Sequence, residues 1–599
     1  MMRNKKHLFL IIGVLVAVVA HGDSGFSVSY VPGSTQKVCQ LTGEYDNQGV
    51  TSEDQRNKIP YAKYTINQTG SNYGIFGTDL GMSFEHTGKD GIERLYFLFS
   101  DITEAEEGCP GAPKASGSPA ARDCIAYLTD NNDTPEDAEK GIRLTFLFDS
   151  PGSFHPFCYY LPTDTSHKSP IFLGGMVGPR EGVSSYLNGN MYIYCNEGYI
   201  EKLDIIYGIY GKYSGYFARS VVAKSTDDGK TFTYLYDLSQ GDSGKFLAQV
   251  MAKVVEQGKD YNGLRQWLPD DVKNKPVLFI WGTGNPYRKS HPYLACQPLT
   301  DIENKSTIRY YKGLDVNGKP LWDSDESKAE PLFKQMCPVY MIDENKNWVK
   351  VGEEPGMGEF SVAWNDFLNK WIMLYNGRNP GGMNFRVADY PWGPWGPSSQ
   401  EPNGVLFDAG RDNGYCNFMH RGWKYENDNN LEHCDYLYED AWCDVDVDWN
   451  PKTPPEPVHR KDIGGGEYGP FIINKFTTGE QDQWTTIYFT MSTWNPYQTV
   501  LMKTTLSLYL EGDVWPPDTC GDGVIDIHDL LTEVDFAVGR QTPTACQAAK
   551  GDVPTGSPPD CTASDNEIDI FDLMTMIDQA LWRPNCVGYC LEHPEFCEE

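Results

Sequence analysis

Two aspartates in the stretch Phe76–Ile102, FGTDLGMSFEHTGKDGIERLYFLFSDI, are placed to do chemistry together. A strand-like head carries Asp79, a polar turn follows at His86–Asp90, and a second apolar run, Leu95–Phe99, is closed by Asp101. In an antiparallel hairpin the start of the first strand lies beside the end of the second, with strands about 4.8 Å apart, so the two carboxyls converge at one end. A pair of that kind is the requirement of glycoside hydrolysis: one acid for the leaving oxygen, one base or nucleophile. The plainer alternative is that both aspartates only punctuate turns at strand ends.

The elements that would position them read as strands nearly throughout. Before Leu510 the chain is built from short runs rich in Tyr, Phe, Val and Ile, bounded by Gly, Asn and Asp, with almost no amphipathic helical period. Five loosely similar units follow one another, headed by Phe76–Asp101, Gly182–Tyr186, Pro276–Trp281, Glu359–Asn365 and Gly469–Ile473. A strand, a turn, an aromatic strand, a loop and a further strand in each unit predict an all-β, five-bladed propeller over residues 24–510. Ser225–Phe232, STDDGKTF, matches an Asp box, a hairpin in which Asp and Gly build the turn and the aromatic packs inward. Thr103–Glu139 and Tyr425–Lys461 read as long insertions, and Asp444–Asp448 in the second as a solvated loop rather than a calcium site.

In such a ring the inner strand of each blade starts near the axis, so blade heads share one funnel. The candidates there are Arg180, Glu181, Glu359 and Tyr468, with Trp281, Arg288 and Trp494 nearby. Arginine and glutamate bond sugar hydroxyls and aromatics stack on sugar faces. The structural alternatives are a rim ion pair for Arg180–Glu181 and core positions for Trp281 and Trp494.

Length and composition bound the rest. Residues 1–22 carry Arg3, Lys5 and Lys6 before an apolar run, Leu8–Ala20, too short to span a bilayer, which predicts a signal peptide and a secreted protein. Sixteen cysteines suit an oxidising compartment and predict disulfides, ten of them up to Cys443 and six from Cys520. A formal charge of −33 argues against nucleic acid and anionic membranes as partners, and no later stretch predicts membrane insertion. Asn67, Asn132 and Asn304 stand in glycosylation sequons. The tetrapeptide Gly241-Asp-Ser-Gly244 recurs across the signal cleavage region and carries no protease argument. Trp281-Gly-Thr-Gly284 lacks the third glycine and helix of a dinucleotide site.

Residues 511–582 change texture. Asp518, Asp522, Asp526 and Asp529 fall at positions 1, 5, 9 and 12 of an EF-hand-like loop with Gly523 at 6, although Cys520 replaces the usual ligand at 3. A second copy keeps Asp565, Asp569 and Asp572 at the later positions but has Cys561 and Ala563 at 1 and 3. A duplicated loop and helix of this kind resembles a dockerin, which implies a small α-helical domain, structural Ca2+ and a cohesin-like scaffold as partner. A cysteine-containing tail, 583–599, follows.

The propeller also resembles a known family. Thr78-Asp79-Leu-Gly, Leu95–Asp101, Gly284-Asn-Pro-Tyr-Arg288, Tyr293-Leu-Ala, Glu359–Asn365, Pro391–Trp395 and Tyr488–Tyr497 are similar to motifs of a bacterial domain family long without an assigned function. That family is a five-bladed propeller, and some members are endo-D-arabinanases acting on mycobacterial arabinogalactan and lipoarabinomannan. The resemblance implies Asp79 and Asp101 as the catalytic pair, inversion, a polysaccharide substrate and no catalytic cofactor. The turn at Gly91–Arg94 is longer here, and Ser100 stands where Gly is common. Two rivals remain open: an L-arabinanase-like hydrolase with Asp79 as base and Glu181 or Glu359 as acid, and a glycan-binding propeller without turnover.

Overall fold

In the computed structural model the described residues are 28–46 (without 32), 63–103, 123–128, 134–155, 178–204, 212–342, 348–378, 381–396, 404–412, 414, 418–419, 465–481, 484–494, 497–507, 527–537, 540–542, 555–557 and 560–562. The segment 1–22, the run 444–448, Asn132 and six of the seven candidate calcium ligands (Asp518, Asp522, Asp526, Asp565, Asp569 and Asp572) lie outside them.

Five antiparallel sheets follow one another along the chain, and each pairs its strands outward from an inner one. Blade 1 is Gly77–Thr87, Glu93–Thr103, Asp123–Leu128 and Leu144–Phe146; blade 2 is Gly178–Ser185, Asn190–Glu197, Arg219–Ser225 and Thr233–Gln240. Blade 3 is Gln249–Val255, Val277–Thr283, Pro292–Pro298, Arg309–Leu314 and Pro320–Asp323. Blade 4 is Met357–Asn365, Lys370–Arg378, Gly381–Ala388 and Val405–Phe407. Blade 5 runs Gly466–Ile472, Trp484–Trp494 and Gln498–Ser507, with Thr478–Glu480 on its second strand. The inner strand of every blade packs on that of the next, and blade 5 returns to blade 1, so the five sheets close into a propeller.

Closure borrows from the beginning of the chain. Ser29–Tyr30 and Gln36–Gln40 pair antiparallel with Gln498–Ser507 and form the outer edge of blade 5. This pairing satisfies an edge that would otherwise be an open template.

Apolar residues on alternate strand positions fill the wedges between blades. Phe84, Met251, Trp281, Phe360 and Trp371 belong to one continuous buried cluster. Gly182 marks the tightest approach of blades 1 and 2, since a Cβ there would stand 2.3 Å from the Phe84 ring. The Asp box is built as its residues predict: Asp227 accepts from Thr231 N–H at 2.9 Å and Thr231 Oγ1 at 2.6 Å, and Phe232 is buried. Its neighbour Asp228 takes the blade 1 turn, bonding His86 Nε2 at 3.2 Å and the Lys89 N–H at 3.1 Å. This turn thus docks blade 1 on blade 2, away from the blade heads.

Several expectations are corrected. The third blade begins at Gln249 rather than Pro276, which makes Val277–Thr283 its second strand. The stretch 103–139, read as an insertion, contains the third strand of blade 1, Asp123–Leu128. Asn67 is buried, its Nδ2 donating to the Leu41 carbonyl at 3.0 Å, so it offers no surface for glycosylation. Cys124 and Cys296 are buried thiols, unbridged, whose pKa burial pushes well up. After the propeller, Ile527–Ala537 is a helix and Thr555–Ser557 pairs with Asp560–Thr562. No described helix is long and apolar enough to cross a membrane.

Candidate active site

Backbone irregularity at the head of blade 1 positions the two aspartates. The register of the hairpin shifts between Gly77 and Asp79 and again between Leu80 and Met82, so Asp79 lies between two bulges. Asp79 is opposite Ser100, and Asp101, with φ 47°, is the next residue along the second strand. Leu80 at φ 68° and Gly81 at φ 108° complete the distortion. A left-handed leucine costs about 1–3 kcal/mol and persists only where its surroundings hold it. Here the Leu80 N–H donates to Ser492 Oγ at 2.7 Å, and Thr78 Oγ1 ties the two strands by donating to the Ser100 carbonyl at 2.6 Å.

The Asp79 side chain is 7 % exposed. Tyr468, from blade 5, donates to its Oδ2 at 3.1 Å, while Oδ1 is buried without a partner. Burial and the adjacent charge of Asp101 raise its pKa to about 7, against Arg180 and the nearby Tyr497 hydroxyl, which pull it down. Asp101 is the more exposed of the two.

Arg180 is the bulged residue at the head of blade 2; it is buried, and its guanidinium lies 5.7 Å over the Phe217 ring. Glu359, at the head of blade 4, is fully buried and accepts from Arg288 Nη2 at 2.6 Å and Nε at 3.0 Å, and from the Tyr287 hydroxyl. Burial alone would raise the Glu359 pKa, but the Arg288 charge and these hydrogen bonds hold it below the usual range. Arg288 in turn lies 5.2 Å over the Tyr468 ring. Asp79, Asp101, Arg180, Arg288, Glu359 and Tyr468 therefore form one connected electrostatic group, as their mutual effects on Asp79 and Tyr468 show.

The remaining residues near the blade heads differ in their surroundings. Glu181 is buried and bonds Lys253 Nζ at 3.1 Å, and burial raises its pKa. Trp281, expected to bind substrate, is fully buried between blades, with its indole N–H on the Pro391 carbonyl at 3.2 Å; it is a core residue. Trp494 is 42 % exposed and meets Tyr497 edge-on at 5.8 Å. Glu467 is turned toward blade 4, where it accepts from the Ala409 N–H at 3.3 Å and burial raises its pKa to about 7.

Tyr287 and Tyr497 were not foreseen as site residues. Each adjoins a motif residue that was: Tyr287 precedes Arg288, and Tyr497 follows Trp494 by three. Of the candidate calcium ligands, Asp529 is described, buried in the first turn of helix Ile527–Ala537.

A family model matches residues 65–503, described as "Domain of unknown function (DUF4185)". The chain belongs to that family. Among curated proteins none matches the sequence. Solved structures of similar outline include an arabinanase of Bacillus subtilis, at 11 % identity and a TM-score of 0.30 over 72 % of this chain and 96 % of that one. An N-acetylgalactosamine deacetylase from F. plautii matches at 10 % identity and 0.30, over 78 % and 94 %. An endo-arabinase from Bacteroides thetaiotaomicron matches at 10 % and 0.28, over 73 % and 96 %. All are distant likenesses.

Proposed function

We propose that this member of the DUF4185 family is a secreted glycoside hydrolase that cleaves a furanose polysaccharide internally, with Asp79 as general acid and Asp101 as general base. The observation that carries the reading is the contrast between the two carboxyls. Asp79 is buried with its pKa raised to about 7, and Asp101, more exposed, lies next to it across the hairpin. A carboxyl protonated near neutrality suits proton donation to a leaving oxygen, and a neighbouring, less buried carboxylate suits activation of water.

In the reaction, Asp79 gives its proton to the glycosidic oxygen as the bond to the anomeric carbon breaks. Asp101 takes a proton from water, whose oxygen forms the new bond on the opposite face of the sugar. The product has inverted configuration, and proton exchange with solvent restores the pair. Buried Arg180 beside Asp79 favours the carboxylate that remains after proton donation.

D-arabinan is the substrate favoured by the motif resemblance to endo-D-arabinanases. The apolar leader supports secretion. A dockerin-like module with Ca2+ held by Asp518, Asp522, Asp526 and Asp529 rests on loop spacing. Asp529 in the first turn of a helix is compatible with it.

The test is incubation of the purified protein with mycobacterial arabinogalactan, plant L-arabinan and fructan, with products separated by chromatography. Oligosaccharides from the first, lost in both Asp79→Asn and Asp101→Asn, support the proposal. Activity that survives Asp101→Asn points to the rival pairing of Asp79 with a glutamate, and binding without products on any glycan points to a lectin-like propeller.

A further inference from the structure

Arg288 lies in the loop between Val277–Thr283 and Pro292–Pro298 of blade 3, and its place there is held at a cost. Its φ is 59°, in the left-handed region that a residue with a Cβ enters at about 1–3 kcal/mol. Nε and Nη2 both donate to a single oxygen, Glu359 Oε1, at 3.0 and 2.6 Å. The cation lies 5.0 Å over the Tyr287 ring and 5.2 Å over that of Tyr468, whose hydroxyl is the one on Asp79.

Held this firmly, the side chain is still open to solvent. It is 37 % exposed, while the Glu359 side chain it covers is 0 % exposed. No described residue accepts from Nη1, and Nη1 is not a buried atom. Burial is nevertheless the largest single influence on the guanidinium, outweighed only by Glu359 and the two tyrosines together. A side chain on a convex rim would feel little desolvation, so one that is both surrounded and wetted lines a concavity. Arg180, the other guanidinium beside Asp79, is 6 % exposed and offers no comparable edge.

We propose that Arg288 contacts the substrate, its open edge, Nη1 and the outer hydrogen of Nη2, donating to two oxygens of a sugar unit next to the bond that is cleaved. Glu359 then serves as a positioning residue that never meets the glycan. The inference rests on the hydrolase reading and deepens it to a substrate class. With Asp79 protonated, the carboxylates of Asp101 and Glu359 balance the charges of Arg180 and Arg288. These groups leave no surplus cation for a uronate or a phosphate, so the oxygens bound are uncharged and the glycan is neutral. A planar fork offers two donors at fixed spacing, which the single ammonium of a lysine does not reproduce.

The experiment compares the wild-type chain with Arg288→Lys, and with the double variant Arg288→Met, Glu359→Gln, on the polysaccharide the wild type hydrolyses. KM, kcat and melting temperature are measured. Arg288→Lys keeps a cation for Glu359 but loses the fork, and the double variant removes both charges so that neither is left buried alone. KM rises roughly tenfold or more in both, and kcat changes less, as the loss of binding shared by ground and transition states requires. A lower melting temperature with KM unchanged makes Arg288 no more than the partner of Glu359 and overturns the inference alone. A wild type that prefers a uronate-bearing polymer to a neutral one overturns it as well. A wild type that hydrolyses no glycan overturns the hydrolase reading itself, and this inference with it.

Discussion

The hydroxyl of Tyr468 reaches Oδ2 of Asp79 at 3.1 Å, joining the last blade to the first across 389 residues of chain. A donor to a carboxylate favours its ionised form and lowers its pKa. Tyr468→Phe removes that donor, so the Asp79 pKa climbs further. An acid acts only while protonated, so its activity fades as pH rises through its pKa. The alkaline limb of the pH–rate profile should therefore move upward by about one unit. A limb that stays in place in Tyr468→Phe assigns it to some other group.

Asp79→Asn and Asp101→Asn are each expected to lower kcat by at least about a hundredfold. They should differ in stability. The folded pKa of Asp79 lies above its unfolded value, so its ionisation opposes folding, and the wild type loses stability as pH rises from about 4 to about 7. Asp79→Asn is free of that dependence and should melt higher than the wild type at pH 8, with the difference closing near pH 4. Thermal unfolding at the two pH values checks it.

Glu359 is expected to hold Arg288 rather than transfer a proton. Breaking a buried pair by removing one partner costs about 3–5 kcal/mol, so Glu359→Gln should be clearly destabilised at neutral pH. Because the folded pKa of Glu359 is depressed, the pair stabilises above the unfolded pKa, and its contribution is lost as pH falls through the folded one. The melting deficit of Glu359→Gln should therefore shrink in acid. A variant that is fully stable yet inactive would move Glu359 into the chemistry.

Two tryptophans should behave in opposite ways. Trp281→Ala, in the core between blades, is expected to lose about 3–5 kcal/mol of stability. Trp494→Ala, half-exposed at the rim, should leave the melting temperature unchanged and raise KM for a polymeric glycan. Denaturant titration and steady-state kinetics on the same preparations separate the two roles.

The hairpin bearing Asp79 and Asp101 was legible because both its strands are long and apolar and a single polar turn joins them. The third blade was misread for a local reason. Its inner strand, QVMAKVV, carries a lysine and is followed by a long connection containing the turn-like segment Tyr261–Trp267, so the strong run Val277–Thr283 stood out instead. That shift also placed Trp281 in the funnel, where a core side chain had to be. Tyr287 and Tyr497 lie inside quoted motifs but had no periodicity to give them a role; only tertiary closure brings Tyr287 to Glu359 and Tyr497 to Asp79. The bulges around Asp79 were equally invisible, since Leu80 is not a residue that announces a left-handed backbone.

The strand Gln36–Gln40 finds its partner, Val500–Lys503, only after nearly the whole ring has been made. At about 5–20 residues per second, synthesis of the intervening chain takes roughly half a minute to a minute and a half. The early strand must wait through that interval without a lasting partner. The seam it finally closes is also where the backbone leading into Asp79 is fixed: Thr42 Oγ1 bonds Gln498 at 3.0 Å, Gln498 Nε2 bonds the Phe76 carbonyl at 2.9 Å, and Thr499 Oγ1 bonds that of Thr78 at 3.1 Å. Chains cut short anywhere before that seam can own both aspartates and four finished blades and still lack the wall that holds Asp79. On the proposed hydrolase reading, competence arrives in one step, with the last strand.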